Sequence, residues 1–447
     1  MYLQELLREV LIGMQNVINT VTISHERGKL NSIAKMNIRK IFIGFFLFFY
    51  LYLPPFLSFN TIIIVGLISW LLLLVFRVHL LKGPVTIVAS ILLFSCAYIL
   101  IVGFIKQNEF VNSMGGLAYL TIFGFPSALF IATFAKKSKI SFDEFLSILI
   151  FVAFVQGLLS ILTYINSNIH SFFVDRLFYS MSEEQIPNLI TVRLFGWSNG
   201  LTYAMPILQS VIGMLSIFKG VFSKKRINYL YAAIIMFSGL INARTSLVII
   251  IMGFVLLLFF TFLKSPKKCF KLLLVIIALL FLFNSFLSIS KNSNNIKWIS
   301  DGIEEIAAFL EGKKEGYFDA LFTNDAIGIG IHYAPTGSEL WFGTGLLVRS
   351  DIGYIRDLWE GGIIYCLLVY FSFFMMTTRI ARNLFNSTNK IYAFFLFFLL
   401  TSALVVTNIK GSIFGVNEFS MFIVLIFIFL ESNNVNNKKR RLLSESR

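Results

Sequence analysis

The stretch from residue 84 to residue 105 reads PVTIVASILLFSCAYILIVGFI and contains no charged side chain. A helix needs about 20 consecutive, mostly apolar residues to cross the hydrocarbon core of a bilayer. Backbone groups inside lipid must also find hydrogen-bond partners within the spanning element, which favours a helix. This stretch is therefore predicted to form a transmembrane helix.

Comparable apolar segments recur along the chain. Hydrophobic residues make up 57% of its 447 residues and charged residues 14%, and the mean hydropathy is +0.81. This composition excludes an ordinary soluble protein and predicts an all-α, polytopic integral membrane protein with about 12 transmembrane helices. The apolar segments are 41–58, 60–76, 84–105, 115–135, 144–165, 199–218, 228–243, 245–263, 272–290, 358–378, 391–409 and 413–430.

The basic residues predict how these helices are oriented. The formal net charge of +15 could by itself indicate a nucleic-acid partner. However, most lysines and arginines fall in short clusters between alternate apolar segments, which is the positive-inside pattern of membrane proteins. No nucleic acid is therefore expected, and the clusters and both termini are predicted to be cytoplasmic. The clusters lie at 39–40, 77–82, 136–139, 219–226, 264–271, 379–390 and 438–441.

One long polar segment, 291–357, lies on the predicted extracytoplasmic side and contains close to half of the acidic residues. A mostly apolar protein has little reason to keep a large polar loop that has no function. The predicted organisation is a cytoplasmic amphipathic N-terminal arm (1–40), transmembrane helices 1–9 (41–290), the large extracytoplasmic loop (291–357), transmembrane helices 10–12 (358–430) and a basic cytoplasmic tail (431–447).

The sequence predicts no disulfide, metal site or cofactor. Cys96 and Cys366 fall in apolar segments and Cys269 falls in a basic loop, a distribution that does not resemble a disulfide or metal pattern. The histidines are scattered. The Gly328-Ile-Gly330 stretch lacks the strand and helix that flank a phosphate-binding loop.

Three arginines lie at predicted extracytoplasmic helix ends, where basic residues are scarce. Arg193 precedes an apolar segment, Arg244 lies in the turn between two apolar segments, and Arg356 lies where the large loop returns to the membrane. Guanidinium groups bind phosphate in a bidentate manner, so three of them in one outer cavity would form a site for a pyrophosphate. The alternative is that each arginine reaches lipid headgroups or pairs with a nearby carboxylate.

Four side chains are candidates for proton transfer. They are Asp351, Asp357, Glu360 and His332. A carboxylate near the bilayer surface could accept the proton of a sugar hydroxyl, and histidine titrates near neutral pH. Taken singly, each is more simply a solvated loop residue or a salt-bridge partner.

In its overall organisation, the chain resembles the O-antigen and capsular polysaccharide polymerase family (Wzy-type), which is related to the O-antigen ligases. The resemblance covers most of the chain: many helices, both termini inside, and one long extracytoplasmic loop late in the sequence. Its local motifs are short. They are Arg193-x-x-Gly196-x-x-Asn199, Asn242-Ala-Arg244-Thr-Ser, Phe342-Gly343-Thr344-Gly345-Leu346, then Ser350-Asp351-Ile-Gly353-Tyr354-Ile-Arg356, and Gly361-Gly362-Ile363.

The resemblance implies a GT-C-like glycosyltransferase of the bacterial inner membrane, with its active site on the extracytoplasmic face. Such an enzyme polymerises undecaprenyl-pyrophosphate-linked oligosaccharide repeat units in O-antigen or capsule synthesis. It transfers the growing glycan to a lipid-linked acceptor unit and uses no cofactor. Its partners would be the lipid-linked oligosaccharides, membrane lipids and, as a further candidate, a chain-length regulator.

The resemblance also implies roles for individual residues. Catalytic roles fall to Asp351, Arg244 and Arg356, and substrate-binding roles to Arg193, Asn199, Arg244, Tyr354 and His332. The ligases place a histidine ahead of the final loop helix, whereas this chain has Asp351 and Tyr354 there. The difference favours a polymerase over a ligase and leaves the general base open.

Two other functions are compatible with the pattern. An O-antigen ligase would perform the same chemistry on a different acceptor. A lipid-linked oligosaccharide flippase has a similar length, but it would be expected to bury cations within several spans and to have short loops on both sides. A non-enzymatic membrane anchor would not need arginines at outer helix ends.

Overall fold

The computed structural model describes residues 29–54, 61–76, 83–106, 112–177, 196–198, 203–223, 225–243, 245–290, 335–345, 353–387 and 390–445. These residues form helices joined by short connections, and no strand occurs among them, which confirms the predicted all-helical class. The helices are α1 (Lys29–Tyr52), α2 (Thr61–Val75), α3 (Pro84–Ile105), α4 (Asn112–Tyr119), a π-helical turn (Leu120–Gly124), α5 (Phe125–Lys137), α6 (Phe142–Ile165), α7 (Ser167–Leu177), α8 (Ala204–Ser223), α9 (Ile227–Asn242), α10 (Thr245–Lys264), α11 (Pro266–Ser290), α12 (Ser338–Phe342), α13 (Gly353–Ser387), α14 (Lys390–Lys410) and α15 (Glu418–Glu445).

Seven helical segments of the described chain are long and apolar enough to cross a membrane. They are Pro84–Ile105, Gly116–Lys137, Phe142–Ile165, Ala204–Ser223, Thr245–Lys264, Gly353–Asn386 and Lys390–Ile409. Helices α2 and α9 are also apolar but shorter, with 15 and 16 residues. A membrane-embedded, multi-helix protein is therefore confirmed, and the count of about 12 crossings stays a prediction.

The boundaries of several predicted segments differ from those of the helices. Helix α1 runs through the predicted boundary at residue 40, and α15 runs through the one at residue 430. The predicted break between two apolar segments near residue 244 is confirmed, because α9 ends at Asn242 and α10 begins at Thr245. Residues 1–28, with most of the N-terminal arm, and 291–334 and 346–352, with most of the large loop, lie outside the described residues.

The contacts between helices define two ends of the bundle. At one end, Lys40 pairs with Glu144 (2.9 Å) and Lys219 with Asp143 (2.9 Å). At the same end, the Lys136 ammonium donates to the Ser432 carbonyl at 2.7 Å. We call this the basic end. It brings together three of the clusters that were predicted to share one side, as the positive-inside pattern requires.

The opposite end is tied by different contacts. Tyr50 donates to the Met421 carbonyl (3.1 Å), and the Ser198 hydroxyl donates to Glu418 (3.0 Å). Lys106, at the end of α3, pairs with Glu339 of α12 at 3.6 Å. This end carries the start of α13 and therefore Arg356.

Two helices form the centre of the bundle. Every residue of α8 from Ala204 to Val221 is buried, and so is every residue of α15 from Phe419 to Leu430. Phe145 of α6 stacks on Phe429 of α15, with ring centroids 4.1 Å apart. Stacked aromatic rings and close-packed aliphatic side chains stabilise such a core, and these two helices fix the position of the elements around them.

A small residue allows α2 to pack on the π-helical turn. A Cβ atom at Gly66 would lie 2.5 Å from Cβ of Phe123, so only glycine fits there. Trp70, one turn further along α2, donates from its indole nitrogen to the Ile122 carbonyl at 2.8 Å. The α-helical partner of the Ile122 carbonyl would be residue 126, which is a proline and has no N–H, and Trp70 donates to this carbonyl instead.

We predict that Gly66→Ala lowers stability because the added methyl group overlaps Phe123, an overpacking that costs about 1–3 kcal/mol. Thermal unfolding of the purified protein in detergent measures the effect. Gly44→Ala is the matched control, because a Cβ there would meet its nearest atom at an ordinary 3.6 Å. Equal melting temperatures for the two variants would contradict this packing.

Candidate functional site

Helix α13 is broken near its start. Gly362 has φ 68° and ψ −172°, which is not helical, so the helix consists of a short first part and a long second part. Only glycine adopts a positive φ of this kind without steric cost. We call residues 353–361 the re-entry helix, because they follow the large loop and precede the long span. The Gly361-Gly362 pair that the sequence singled out is therefore a helix break.

The break leaves backbone carbonyls without their helical donors, and the residues after α12 supply new ones. The Thr344 amide and hydroxyl both donate to the Trp359 carbonyl at 2.8 Å, and the Gly345 amide donates to the Glu360 carbonyl at 3.1 Å. Buried backbone groups need such partners, above all at membrane depth. We call residues 343–345 the strap.

Glycine is required where the strap contacts the re-entry helix. A Cβ atom at Gly343 would lie 2.6 Å from the Glu360 carbonyl oxygen, and one at Gly362 would lie 2.4 Å from the Trp341 carbonyl oxygen. Both residues also have positive φ angles. The two glycine motifs, separated in sequence, are thus the two sides of one backbone contact.

The re-entry helix presents one oriented arginine. Arg356 donates from Nε to Oε1 of Glu360 at 2.9 Å, at the i,i+4 spacing of a helix. The Arg356 side chain is 30% exposed and the Glu360 side chain is fully buried. Among the described residues, none accepts a hydrogen bond from the terminal nitrogens Nη1 and Nη2 of Arg356. The carboxylate therefore fixes the guanidinium through Nε.

A second carboxylate joins the re-entry helix to its surroundings. Asp357 is fully buried and accepts hydrogen bonds from the Tyr370 hydroxyl (2.9 Å) and from Nδ2 of Asn408 (3.4 Å). Nδ2 of Asn408 also lies 2.7 Å from the Tyr370 hydroxyl. Because Tyr370 lies beyond the break in α13 and Asn408 lies on α14, the network holds three helical pieces in one arrangement.

The start of the re-entry helix lies closely against the segment that follows α14. A Cβ atom at Gly353 would be 2.4 Å from the backbone of Gly411, and one at Gly411 would be 2.3 Å from the Tyr203 ring. Tyr203, which precedes α8, donates to the Ser412 carbonyl at 2.7 Å. Through Gly411, the residue before α8 therefore lies beside the start of the re-entry helix.

The first turn of α8 contacts the motif around residue 244. Nδ2 of Asn242 lies 3.6 Å from Sδ of Met205, and the hydroxyls of Ser210 and Ser246 are hydrogen-bonded. On the adjoining face of the bundle, a Cβ at Gly196 would lie 2.8 Å from the Ser160 amide of α6. The described parts of the three arginine motifs thus occupy the same end of the bundle.

The predicted site residues are only partly described. Arg356 lies at the end of the bundle that is opposite the basic end, as predicted. Its pairing with Glu360 agrees with the salt-bridge alternative. Tyr354 is half-buried and belongs to a small apolar cluster in which Tyr354, Trp359 and Ile409 pack against the buried Ile355. Residues Arg193, Asn199, Arg244, His332 and Asp351 lie outside the described residues.

Two of the acid/base candidates have a different environment from the one expected of loop residues. Asp357 and Glu360 are fully buried, because the helix begins at Gly353 and carries both carboxylates into the bundle. The interpretation of either as a solvated loop residue is wrong. Both instead hold neighbouring groups in place.

Several residues of the site were not found from the sequence. Tyr203, Tyr370 and Asn408 form hydrogen bonds within it, and Glu418 accepts one from Ser198 at the same end of the bundle. Glu418 did give a signal, because it is the only acidic residue between Glu360 and Glu431. Within the described ranges, no three His, Cys, Asp or Glu side chains converge in a way that could hold a metal ion.

Comparison with known proteins does not assign a function to this site. No protein-family model matches the chain, and no curated protein matches it. Any functional conclusion therefore depends on the re-entry helix and its neighbours.

Proposed function

We propose that this protein polymerises undecaprenyl-pyrophosphate-linked oligosaccharide repeat units, as a GT-C-like glycosyltransferase with about 12 transmembrane helices in the bacterial inner membrane. The basic end of the bundle would be cytoplasmic, and the opposite end would therefore face the extracytoplasmic side. The product would be an O-antigen or a capsular polysaccharide.

The observation that carries the proposal is the orientation of Arg356. Its Nε is bound to the buried Glu360, and its side chain is 30% exposed. A guanidinium held in this way can direct both terminal nitrogens to one phosphate, which is the end-on geometry of a bidentate contact. A diphosphate on a lipid carrier is a ligand that would reach such a group at the membrane surface.

A second observation supports an extended anion site. Tyr203, just before α8, contacts Gly411 beside the start of the re-entry helix, and Met205 of α8 lies 3.6 Å from Asn242 of the Arg244 motif. Arg193 and Arg244 are accordingly assigned the remaining phosphate contacts, with Asn199, Tyr354 and His332 as candidate contacts to the sugars. A diphosphate carries more charge than one guanidinium neutralises, so additional cations are required.

The proposed reaction is a glycosyl transfer. An acceptor hydroxyl oxygen forms a bond to the anomeric carbon of the donor glycan, and the bond from that carbon to the pyrophosphate breaks. The pyrophosphate leaves with the electron pair, and the arginines stabilise the negative charge that develops on it. The hydroxyl proton passes to a carboxylate, for which Asp351 is the candidate.

Arg356→Ala should abolish long-chain polysaccharide, because no oriented donor would remain for the leaving pyrophosphate at this position. Chain length is measured on gels of surface polysaccharide, and delivery of single repeat units to the surface is measured separately. A polymerase defect leaves delivery intact, whereas a flippase defect strands the units inside. Arg382→Ala, which removes an exposed arginine at the basic end, is the control, and normal chains in Arg356→Ala would refute the assignment.

Glu360→Gln should raise the KM for the lipid-linked donor by about tenfold or more and affect kcat less. The amide keeps the size of the side chain but loses the charge-assisted hydrogen bond to Arg356, which is worth about 1.5–3 kcal/mol. Initial rates against donor concentration, with purified protein and purified lipid-linked units, give both constants. Glu360→Asp should restore part of the affinity, while an unchanged KM in Glu360→Gln would show that the pairing does not orient the arginine.

Asp351→Asn should reduce turnover by roughly 10²–10⁴-fold, the usual contribution of a positioned general base. Donor binding should remain, because the amide removes no phosphate contact. The rate is measured with purified lipid-linked units, and binding of the donor is measured in the same preparation. Activity close to that of the unmodified protein would exclude Asp351 as the proton acceptor.

A further inference from the structure

Three lysines at the basic end converge on two neighbouring aromatic rings. The ammonium groups of Lys264 and Lys268 lie 4.9 and 4.8 Å from the centre of the Phe222 ring, and that of Lys271 lies 5.7 Å from the centre of the Tyr229 ring. We call Lys264, Lys268 and Lys271 the lysine cluster. These side chains come from α10 and α11, and the rings from α8 and α9, so four helices build the cluster.

No carboxylate of the described residues compensates the charge of the lysine cluster. None of the three lysines forms an ion pair with a described residue. The sequence from residue 185 to residue 300 contains no aspartate or glutamate at all. Lys225 and Arg226 lie between α8 and α9, and Lys267 lies in the first turn of α11. All three are exposed and add further positive charge. Elsewhere at this end, by contrast, Lys40 and Lys219 each pair with a carboxylate.

Positive-inside topology alone does not explain this arrangement. A cluster that only orients the chain can spread its charges into solvent, which minimises their repulsion. Here two ammonium groups share one ring, within the distance of a cation–π contact. Like charges held together at a surface attract an anion strongly.

The surface next to the lysine cluster is apolar and exposed. Phe262 and Leu263 at the end of α10, Phe270 of α11 and Ile227 of α9 are 61%, 64%, 65% and 48% exposed. Large exposed apolar side chains on membrane-spanning helices contact lipid tails. The lysine cluster therefore lies where a lipid headgroup meets its acyl chains.

We propose that the lysine cluster binds the headgroup phosphate of an anionic phospholipid in the leaflet at the basic end. The ammonium groups contact the phosphate, the Phe222 and Tyr229 rings keep them in place, and the apolar residues beside them contact the acyl chains. Basic pockets between membrane helices recognise anionic lipids in this way. The site is separate from the proposed glycosyl-transfer site, which lies at the other end of the bundle.

Native mass spectrometry of the purified full chain, released from nanodiscs of phosphatidylcholine and phosphatidylglycerol, tests the proposal. The unmodified protein should retain phosphatidylglycerol in preference to phosphatidylcholine. The triple variant Lys264→Gln, Lys268→Gln, Lys271→Gln should retain at least about fivefold less phosphatidylglycerol, because each lysine near the surface strengthens anionic-lipid binding. Retention equal to that of the unmodified protein would overturn the proposal.

Matched variants distinguish an effect of the lysine cluster from a general effect of removing positive charge at the basic end. The triple variant Lys139→Gln, Arg382→Gln, Lys390→Gln removes the same charge from exposed positions at the same end and should retain the lipid normally. An equal loss in both triple variants would mean a diffuse charge effect and would also overturn the proposal. Replacing the three cluster lysines by arginine should preserve retention.

Two further measurements address the case in which the glutamine variant misfolds and the case in which the site binds free phosphate. If the glutamine variant of the cluster does not fold, Phe222→Leu keeps all three charges, removes the shared ring and should still weaken lipid retention; unchanged retention counts against the site. Inorganic phosphate should not raise the melting temperature in detergent as phosphatidylglycerol does. An equal rise with phosphate would identify a free-phosphate site instead.

Discussion

The hydrogen bonds between the strap and the re-entry helix are the contact on which the candidate site depends. A helix broken at Gly362 would leave the carbonyls of Trp359 and Glu360 without partners, which a membrane protein tolerates poorly. The amides of Thr344 and Gly345 provide those partners at 2.8 and 3.1 Å. The same contact links the end of the large loop to the helical turn that carries Arg356 and Glu360. The strap and the helical turn with Arg356 therefore form one structural unit.

Two buried carboxylates on that turn have complementary roles. Burial of an ionisable group is costly unless it is hydrogen-bonded. Oδ2 of Asp357 accepts hydrogen bonds from Tyr370 and Asn408, and so connects the turn to the long part of α13 and to α14. Oε1 of Glu360 accepts one from Arg356. The first carboxylate positions the helix and the second positions the guanidinium.

The sequence predicted the fold class, the location of Arg356 and the break between α9 and α10, because apolar length and charge placement are local properties. It did not predict the burial of Asp357 and Glu360, since the helix start at Gly353 depends on a close approach to Gly411 that is distant in sequence. It identified the glycines at 343, 361 and 362 as parts of motifs but did not explain why glycine is needed there. The reason is a backbone contact between two segments that are separate in sequence. Tyr370 and Asn408 lie within apolar stretches and resembled ordinary span residues.

The two ends of the bundle differ in the partners of their cationic side chains. At the basic end, the three ammonium groups of the lysine cluster lie over two aromatic rings and form no ion pair within the described part of the chain. At the opposite end, Arg356 is bound through one nitrogen to a buried carboxylate and is restricted to one direction. Binding by an ordered side chain loses less conformational entropy than binding by a mobile one. The first arrangement fits the proposed lipid headgroup, whereas the second fits the proposed pyrophosphate, which would have to be held in one geometry.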